Sequence, residues 1–445
     1  MTTIYVDINA IYDKLIIERL VYTLAFIQNH PCAPKDTFWT VDNSVKPDLI
    51  VKYSDQENKN TIPFITFCFS EYSVRYPNHF SFFGKNNMDL HGFKPNDSEL
   101  SFLCPIDIFQ TIFFHISRYE EWHEYKKNLD LHGMLKSEDH YLVSQGIHEI
   151  PVVDHLVYYL YDLLGLNPVR LTTTYCMTHD IDMIRKFPSF YKFIRSLANV
   201  FFYQNQKFSK IKKLLYCYFK IKAKIEKDPY DNFDWLLLNE NSKIKDRKIY
   251  FLSGGINSKY EKFYKIDDPR CKPIFEQSIR KGYHLGIHPS YDSGNNGNMI
   301  KIEKEILEAE TFMKIKHSRQ HFLRYDIKNT GKILDEIGLS TDSSMGYRNK
   351  TGFRCGTGFP YHLYNFELEK PYNFIEIPLV VMDMGIIHQV GWDAELFKIH
   401  LEAFLLKNSH FTQITFNFHN STFDPVFIDV VKLKSYYLKS FAESK

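Results

Sequence analysis

Between residues 171 and 418, seven short apolar runs recur, each ending in or beside Gly, His, Asp or Arg. They cover 171–177, 248–252, 283–287, 321–323, 338–341, 374–378 and 413–418. Helical patterns lie between several of them, at 273–281, 302–313 and 395–406. Parallel strands need a crossover of a dozen or more residues, usually a helix. Strands alternating with helices therefore predict a parallel sheet or barrel. Seven strands suit an incomplete (β/α) barrel, in which reactive groups collect at the C-terminal strand ends.

The polar residues at those ends carry the chemistry. Thr178-His179-Asp180-Ile181-Asp182 closes the first run. Residues two apart on a strand face the same way, so Asp180 and Asp182 can converge on one point. A polar turn or helix N-cap is the bland account of the same residues. His288 follows the third run, and Arg319 and Arg324 flank the fourth. Asp342 follows the fifth, Asp383 lies beyond the sixth and His419 follows the seventh. Acids, histidines and arginines at nearly every strand end favour a site over packing.

The 445 residues are 44% hydrophobic and 16% aromatic, which supplies core material and excludes wholesale disorder. A net charge of +2 gives no global attraction to nucleic acid, and none is expected as a partner. The seven cysteines are scattered and never form a C-x-x-C pair, the pattern of buried thiols in a reducing compartment. No secretory pattern opens the chain, and no apolar run reaches the ~20 residues of a membrane span, so a cytoplasmic protein is expected.

A turn cluster at Gly165-Leu166-Asn167-Pro168 divides the chain into 1–167, a smaller α+β domain, and 168–445, the barrel. Within the first part, 63–69 reads as a strand and 108–119 as a helix running into Glu120-Glu121-Trp122. His132, His140, His148 and His155 fit no metal spacing and read as ordinary core or surface histidines.

The ordered set of strand-end motifs resembles the polysaccharide-deacetylase family, carbohydrate esterases with a NodB-like (β/α)7 barrel. The resemblance covers about residues 170–425. Thr178–Asp182 is similar to the family's Thr-Phe-Asp-Asp motif, whose first Asp is the base and whose second binds metal. The resemblance implies Asp180 as base and Asp182 as ligand; His179 as base with Asp180 as ligand is the alternative. Gly286–Asp292 resembles the His-x-x-x-His motif, which makes His288 a ligand and sets Asp292 where the second His stands. Arg319–Arg324 occupies the place of the arginine motif that orients the base. Ser340–Ser344 is similar to Tyr-Asp-Ser-Ser, and Phe416–His419 to Leu-x-x-His, whose His is the acid. The implied activity is removal of acetyl groups from an N- or O-acetylated sugar or polysaccharide during surface-polysaccharide synthesis. The implied cofactor is a divalent ion, zinc first, since zinc accepts carboxylate oxygen beside imidazole. Two rivals stand beside this reading. One is a glycoside hydrolase using a carboxylate pair such as Asp180 and Glu376; the other is a glycan-binding scaffold without activity.

Other features are less specific. Asp342-Ser343-Ser344 suits a cap or a support behind the site, and Asp342 stays among the candidate substrate contacts. The glycine-rich 352–360 reads as a loop over the barrel mouth, reaching sugar through Phe353, Arg354 or Tyr361; Arg324 is a further substrate candidate. An insertion at about 190–245 holds a basic amphipathic helix over 207–227, with Lys207, Lys210, Lys212, Lys213, Lys220, Lys222, Lys224 and Lys227 around an apolar stripe. It is either a solvated lysine face or a dock for an anionic membrane or lipid-linked glycan.

Overall fold

The computed structural model describes residues 1–8, 14–53, 64–67, 101–104, 108–123, 125–203, 207–238, 241–255, 260 and 264–441. Two sheets organise the chain. The first holds β1 (Thr2–Asp7), β2 (Thr37–Thr40), β3 (Leu49–Tyr53), β4 (Phe64–Phe67) and β5 (Ser101–Cys104), in the order β2-β1-β3-β4-β5. All four of its pairings are parallel. This replaces the expected α+β arrangement with a parallel α/β one. The helix Lys14–Asn29 supplies the crossover from β1 to β2 that parallel pairing demands. Of the predicted strand 63–69, residues 64–67 are confirmed and the rest lie outside the described residues.

The second sheet holds β6 (Thr174–Ile181), β7 (Ile244–Phe251), β8 (His284–Ile287), β9 (His317–Ser318), β10 (Thr341–Asp342), β11 (Tyr361–Asn365), β12 (Lys370–Glu376), β13 (Val381–Met382) and β14 (Gln413–Asn417). Their order is β11-β12-β10-β9-β8-β7-β6-β14-β13, a curled half-barrel of nine strands. Only the β11–β12 pairing is antiparallel. All the other strands therefore end on one edge. β6 lies inside this sheet and is buried along almost its whole length. A strand covered on both faces carries Thr178, His179 and Asp180 only because each is hydrogen-bonded.

The run 321–323 is not a strand. It forms a single tight helical turn after the two-residue β9, with Phe322 and Leu323 at positive φ. Likewise, the basic insertion is two helices, Phe190–Tyr203 and Lys207–Lys222, rather than one over 207–227. They pack through a small apolar cluster of Phe187, Phe193, Val200, Leu214, Cys217 and Val426.

The glycine-rich 352–360 does not lie over the mouth. It is buried against the first 167 residues: Phe353 N–H donates to His148 O at 2.7 Å, and Val153 N–H to Gly356 O at 2.8 Å. At Gly358 a Cβ would sit 1.9 Å from Gln413 O, so no larger residue fits that crossing. Arg354 accordingly faces Glu121, giving Nε and Nη2 to its carboxylate at 3.0 and 2.6 Å. Tyr361 lies in the core beside Phe26. Cys355 is a buried free thiol, as are Cys32, Cys176, Cys217 and Cys271. Among the described residues no helix is long and apolar enough to cross a membrane.

Candidate metal centre

The C-terminal strand ends converge on a cavity of about 790 Å³. Thr178, Asp180 and Asp182 share one face of β6 and its extension, by the two-residue period of a strand. His179 points to the opposite face, where Nδ1 donates to Phe418 O at 2.8 Å and Nε2 lies 3.4 Å from Tyr283 Oη. It does not line the cavity, whereas Asp180 does.

Asp180 is buried and held on both oxygens. Arg319 Nη1 donates to Oδ1 at 3.0 Å and Asn417 Nδ2 to Oδ2 at 2.8 Å. Arg319 is itself fixed: Nε and Nη2 donate to Ser343 O and Oγ at 2.9 and 2.8 Å, and its plane lies 4.6 Å from the Tyr250 ring centroid. Gly286 makes room for that ring, since a Cβ there would meet Tyr250 Cδ1 at 2.5 Å. Burial works to raise the Asp180 carboxyl, but the Arg319 charge, then His288 and His419, hold it at about 2. It is a carboxylate at neutral pH.

Asp182, His288 and His321 form the one described group at this edge able to grip an ion, with ligand atoms all within 4.8 Å of one another. His288 Nδ1–H donates to Arg319 O at 2.6 Å, which turns Nε2 toward Asp182 Oδ1 at 3.5 Å. Such a backbone bond on the far nitrogen is how ligating histidines are oriented. Burial lowers the His288 imidazole to about 4 despite the pull of Asp180, so it is neutral near pH 7, as a ligand must be. His321 Nε2 lies 3.8 Å from Asp182 Oδ2. Asp182 Oδ1 is buried without a hydrogen-bond partner. An orphaned carboxylate oxygen facing two imidazoles is a donor set that fits zinc or a similar divalent cation.

His419 completes the ring. Its Nδ1 lies 2.7 Å from Asp383 Oδ1, and its Nε2 faces Asp180 and Asp182 at 3.8 and 3.9 Å. Asp383 is fully buried and also accepts from His419 N and Thr422 Oγ1 at 2.6 and 2.5 Å. Burial disfavours the His419 charge, yet the adjoining Asp383, then Asp182 and Asp180, raise it to about 10.

Several sequence-based assignments are placed elsewhere. Asp292 is exposed and lies outside the ligand group; His321 takes that place. Arg324 stacks 3.9 Å from the Tyr291 ring centroid and donates to His132 O at 3.1 Å, and it does not line the cavity. Asp342 is fully buried behind the site, accepting from Ser318 Oγ at 2.6 Å and Ser344 N at 3.0 Å. Arg354 and Tyr361 are consumed by packing, as above. Glu376 is buried away from the cavity; burial and the adjoining Asp342 push its carboxyl well above the usual range. A carboxylate pair of Asp180 and Glu376 is therefore not available to a substrate.

Five groups escaped the sequence reading: His321, Gln320, Asp383 as the partner of His419, Asn417, and the wall built by residues 129–138. Leu131, His132, Lys136 and Glu138 line the cavity, and Asp130 forms an ion pair with Arg348. Gln320, 1% exposed, presents a side-chain amide without a hydrogen-bond partner to the same cavity. His321 and Gln320 are one and two residues from Arg319, but the assumed strand at 321–323 hid them.

A model for a family of unknown function, DUF7033, matches residues 9–167. No curated protein matches. A Mycobacterium smegmatis structure described as a polysaccharide deacetylase aligns with 62% of this chain and 85% of its own, at 12% identity and a TM-score of 0.33. An allantoinase structure aligns with 61% of this chain and 86% of its own, also at 12% identity, with a TM-score of 0.32.

Proposed function

We propose that this chain is a metal-dependent hydrolase that removes acetyl groups from an N- or O-acetylated sugar or polysaccharide, on a NodB-like incomplete (β/α)7 barrel. One observation carries the reading: Asp182, His288 and His321 converge at the cavity beside a carboxylate fixed by arginine and an imidazole fixed by aspartate. Amide or ester hydrolysis needs a group of each kind.

Asp182, His288 and His321 would hold the ion, which when bound would polarise a carbonyl and make water more acidic. Asp180 takes the proton of the attacking water, because it is ionised and its direction is set by Arg319 and Asn417. His419 Nε2 gives a proton to the departing nitrogen or oxygen as the acyl bond breaks, leaving acetate and the free amine or alcohol. Gln320 offers an amide that can pair with the substrate's own amide or hydroxyls.

Asp383→Asn should lower kcat by roughly 10²–10⁴-fold with little change in KM. The amide can no longer hold the His419 Nδ1–H, so the wrong tautomer or ring orientation faces the substrate. Steady-state kinetics separates the two parameters, and an equal rise in KM would point to a collapsed cavity instead.

The test of the whole reading is the metal content of the purified protein together with acetate release from a panel of acetylated sugars. Stoichiometric zinc or another divalent ion, activity lost on chelation and loss of both in Asp182→Ala and His288→Ala are expected. Acetate release that survives chelation would overturn the metal dependence. Bound metal with no acetate from any substrate would favour the scaffold.

A further inference from the structure

We infer that the helical pair Phe190–Tyr203 and Lys207–Lys222 docks the protein on an anionic membrane surface. Residues 183–225 contain eleven lysines and arginines and no acid. The chain totals +2, so the remaining residues sum to −9 and the positive charge is concentrated here. Lys186 among them is buried against Asp424, and the other ten are spread around the two helices and their flanks.

Charge alone would suit many partners; the apolar residues narrow the choice. Each helix buries one face in the small cluster around Phe193, Val200, Leu214 and Cys217. Large apolar side chains nevertheless stand out of a second face. On the first helix these are Phe190, Tyr191, Ile194, Phe201 and Phe202, which fall within roughly 120° of arc at 100° per residue. On the second, Phe208, Tyr216 and Phe219 fall within roughly 80°. Phe208 is 88% exposed, the same class as a side chain in an unfolded chain. Exposed Lys207, Lys213 and Lys222 flank the face of the second helix, and Lys212 stands within it. Lys207 Nζ lies 5.5 Å from the Phe201 ring centroid and Lys220 Nζ 5.1 Å from that of Tyr216.

Phenylalanine has no polar tip to satisfy in water, so a row of them on the surface costs free energy until it is covered. A face of aromatic and aliphatic residues rimmed by lysine is the composition that lies in a bilayer interface, apolar side down and cations on the headgroups. Nucleic acid is the weaker match, because lysine, a strongly hydrated point charge, outnumbers the stacking, bidentate arginine nine to two here. The opposite side of the first helix faces the cavity instead. Tyr260 borders a cleft of about 320 Å³ under the first helix, and its ring lies 5.9 Å from that of Phe322, which lines the cavity.

Sedimentation of the full chain with phosphatidylcholine vesicles containing phosphatidylserine tests this. At low salt the protein should pellet with those vesicles, be released as salt rises, and bind pure phosphatidylcholine much more weakly. Lys212→Ala with Lys213→Ala should weaken binding about fivefold for each lysine removed. Phe208→Ser with Phe219→Ser should weaken it at every salt concentration. All four side chains are exposed, so circular dichroism should match the parent; if a variant misfolds, the salt and lipid dependence of the parent decides. No sedimentation of the folded parent at low salt overturns the inference. So does binding that neither pair of substitutions changes, or binding of a homopolymeric RNA in place of vesicles.

Discussion

His321→Ala is expected to lower metal affinity by at least about 10²-fold and to reduce hydrolysis to background, while Asp292→Ala leaves both near the parent values. Both residues follow a strand end closely, but only one of them faces the ion site. His321 Nε2 stands 3.8 Å from Asp182 Oδ2 and its ring centroid 4.8 Å from that of His288. Asp292 is exposed, outside that group. Removing His321 leaves two protein ligands, too few to hold a tetrahedral ion with one position free for substrate. Isothermal titration with zinc measures the affinity independently of catalysis, and acetate release measures the rate. Loss of metal in Asp292→Ala together with retention in His321→Ala would falsify the ligand set and restore the motif spacing as the guide.

The contrast between those two residues shows what could be read from the chain. Alternating short apolar runs and helices pointed to a parallel sheet, and the sheet's shared edge brings Asp180, Asp182, His288, Arg319 and His419 together. That much depends on periodicity and strand ends, which are local. His321 was hidden by a misread period: three residues that look like a strand are a helical turn with two positive φ values, and the turn is what aims the imidazole inward. Arg354 was misassigned for a different reason. An arginine in a glycine-rich loop looks free to meet a substrate, but its carboxylate partner lies 233 residues away in sequence. The wall at residues 129–138 was equally illegible, since only the packing of the first 167 residues on the half-barrel brings it to the cavity. Hydropathy patterns carry local period, whereas pairings across hundreds of residues leave no trace in a single sequence.

Arg118→Ala should cost about 3–5 kcal/mol of stability, the largest loss expected from any single charged residue outside the site. Arg118 is fully buried at positive φ between the helices Ile108–Ile116 and Tyr119–His123. Nε donates to Glu121 Oε1 at 2.8 Å, Nη2 to Glu120 Oε1 at 2.6 Å, and Nη1 to Arg354 O. Burial works to raise the Glu120 carboxyl, yet Arg118 and then His140 bring it to about 2, so the acids stay charged and depend on their cations. Truncating Arg118 leaves the two carboxylates with Arg354, His140 and the Tyr141 N–H as their remaining partners, and desolvated charge without full compensation is what makes such losses large. Arg118→Met with Glu120→Gln, which removes a cation and an anion together, should recover part of the loss. The damage should also reach the cavity. Arg354 Nη1 donates to Gly346 O at 3.1 Å, and two residues on, Arg348 pairs with Asp130 on the cavity wall. Loosening the Arg118 cluster should therefore raise KM more than it lowers kcat, because the wall moves while Asp180, Arg319 and His419 keep their own bonds. Urea unfolding followed by tryptophan fluorescence gives the stability change. A loss below about 1 kcal/mol would mean that solvent reaches the cluster and that the seam is held by its apolar contacts alone.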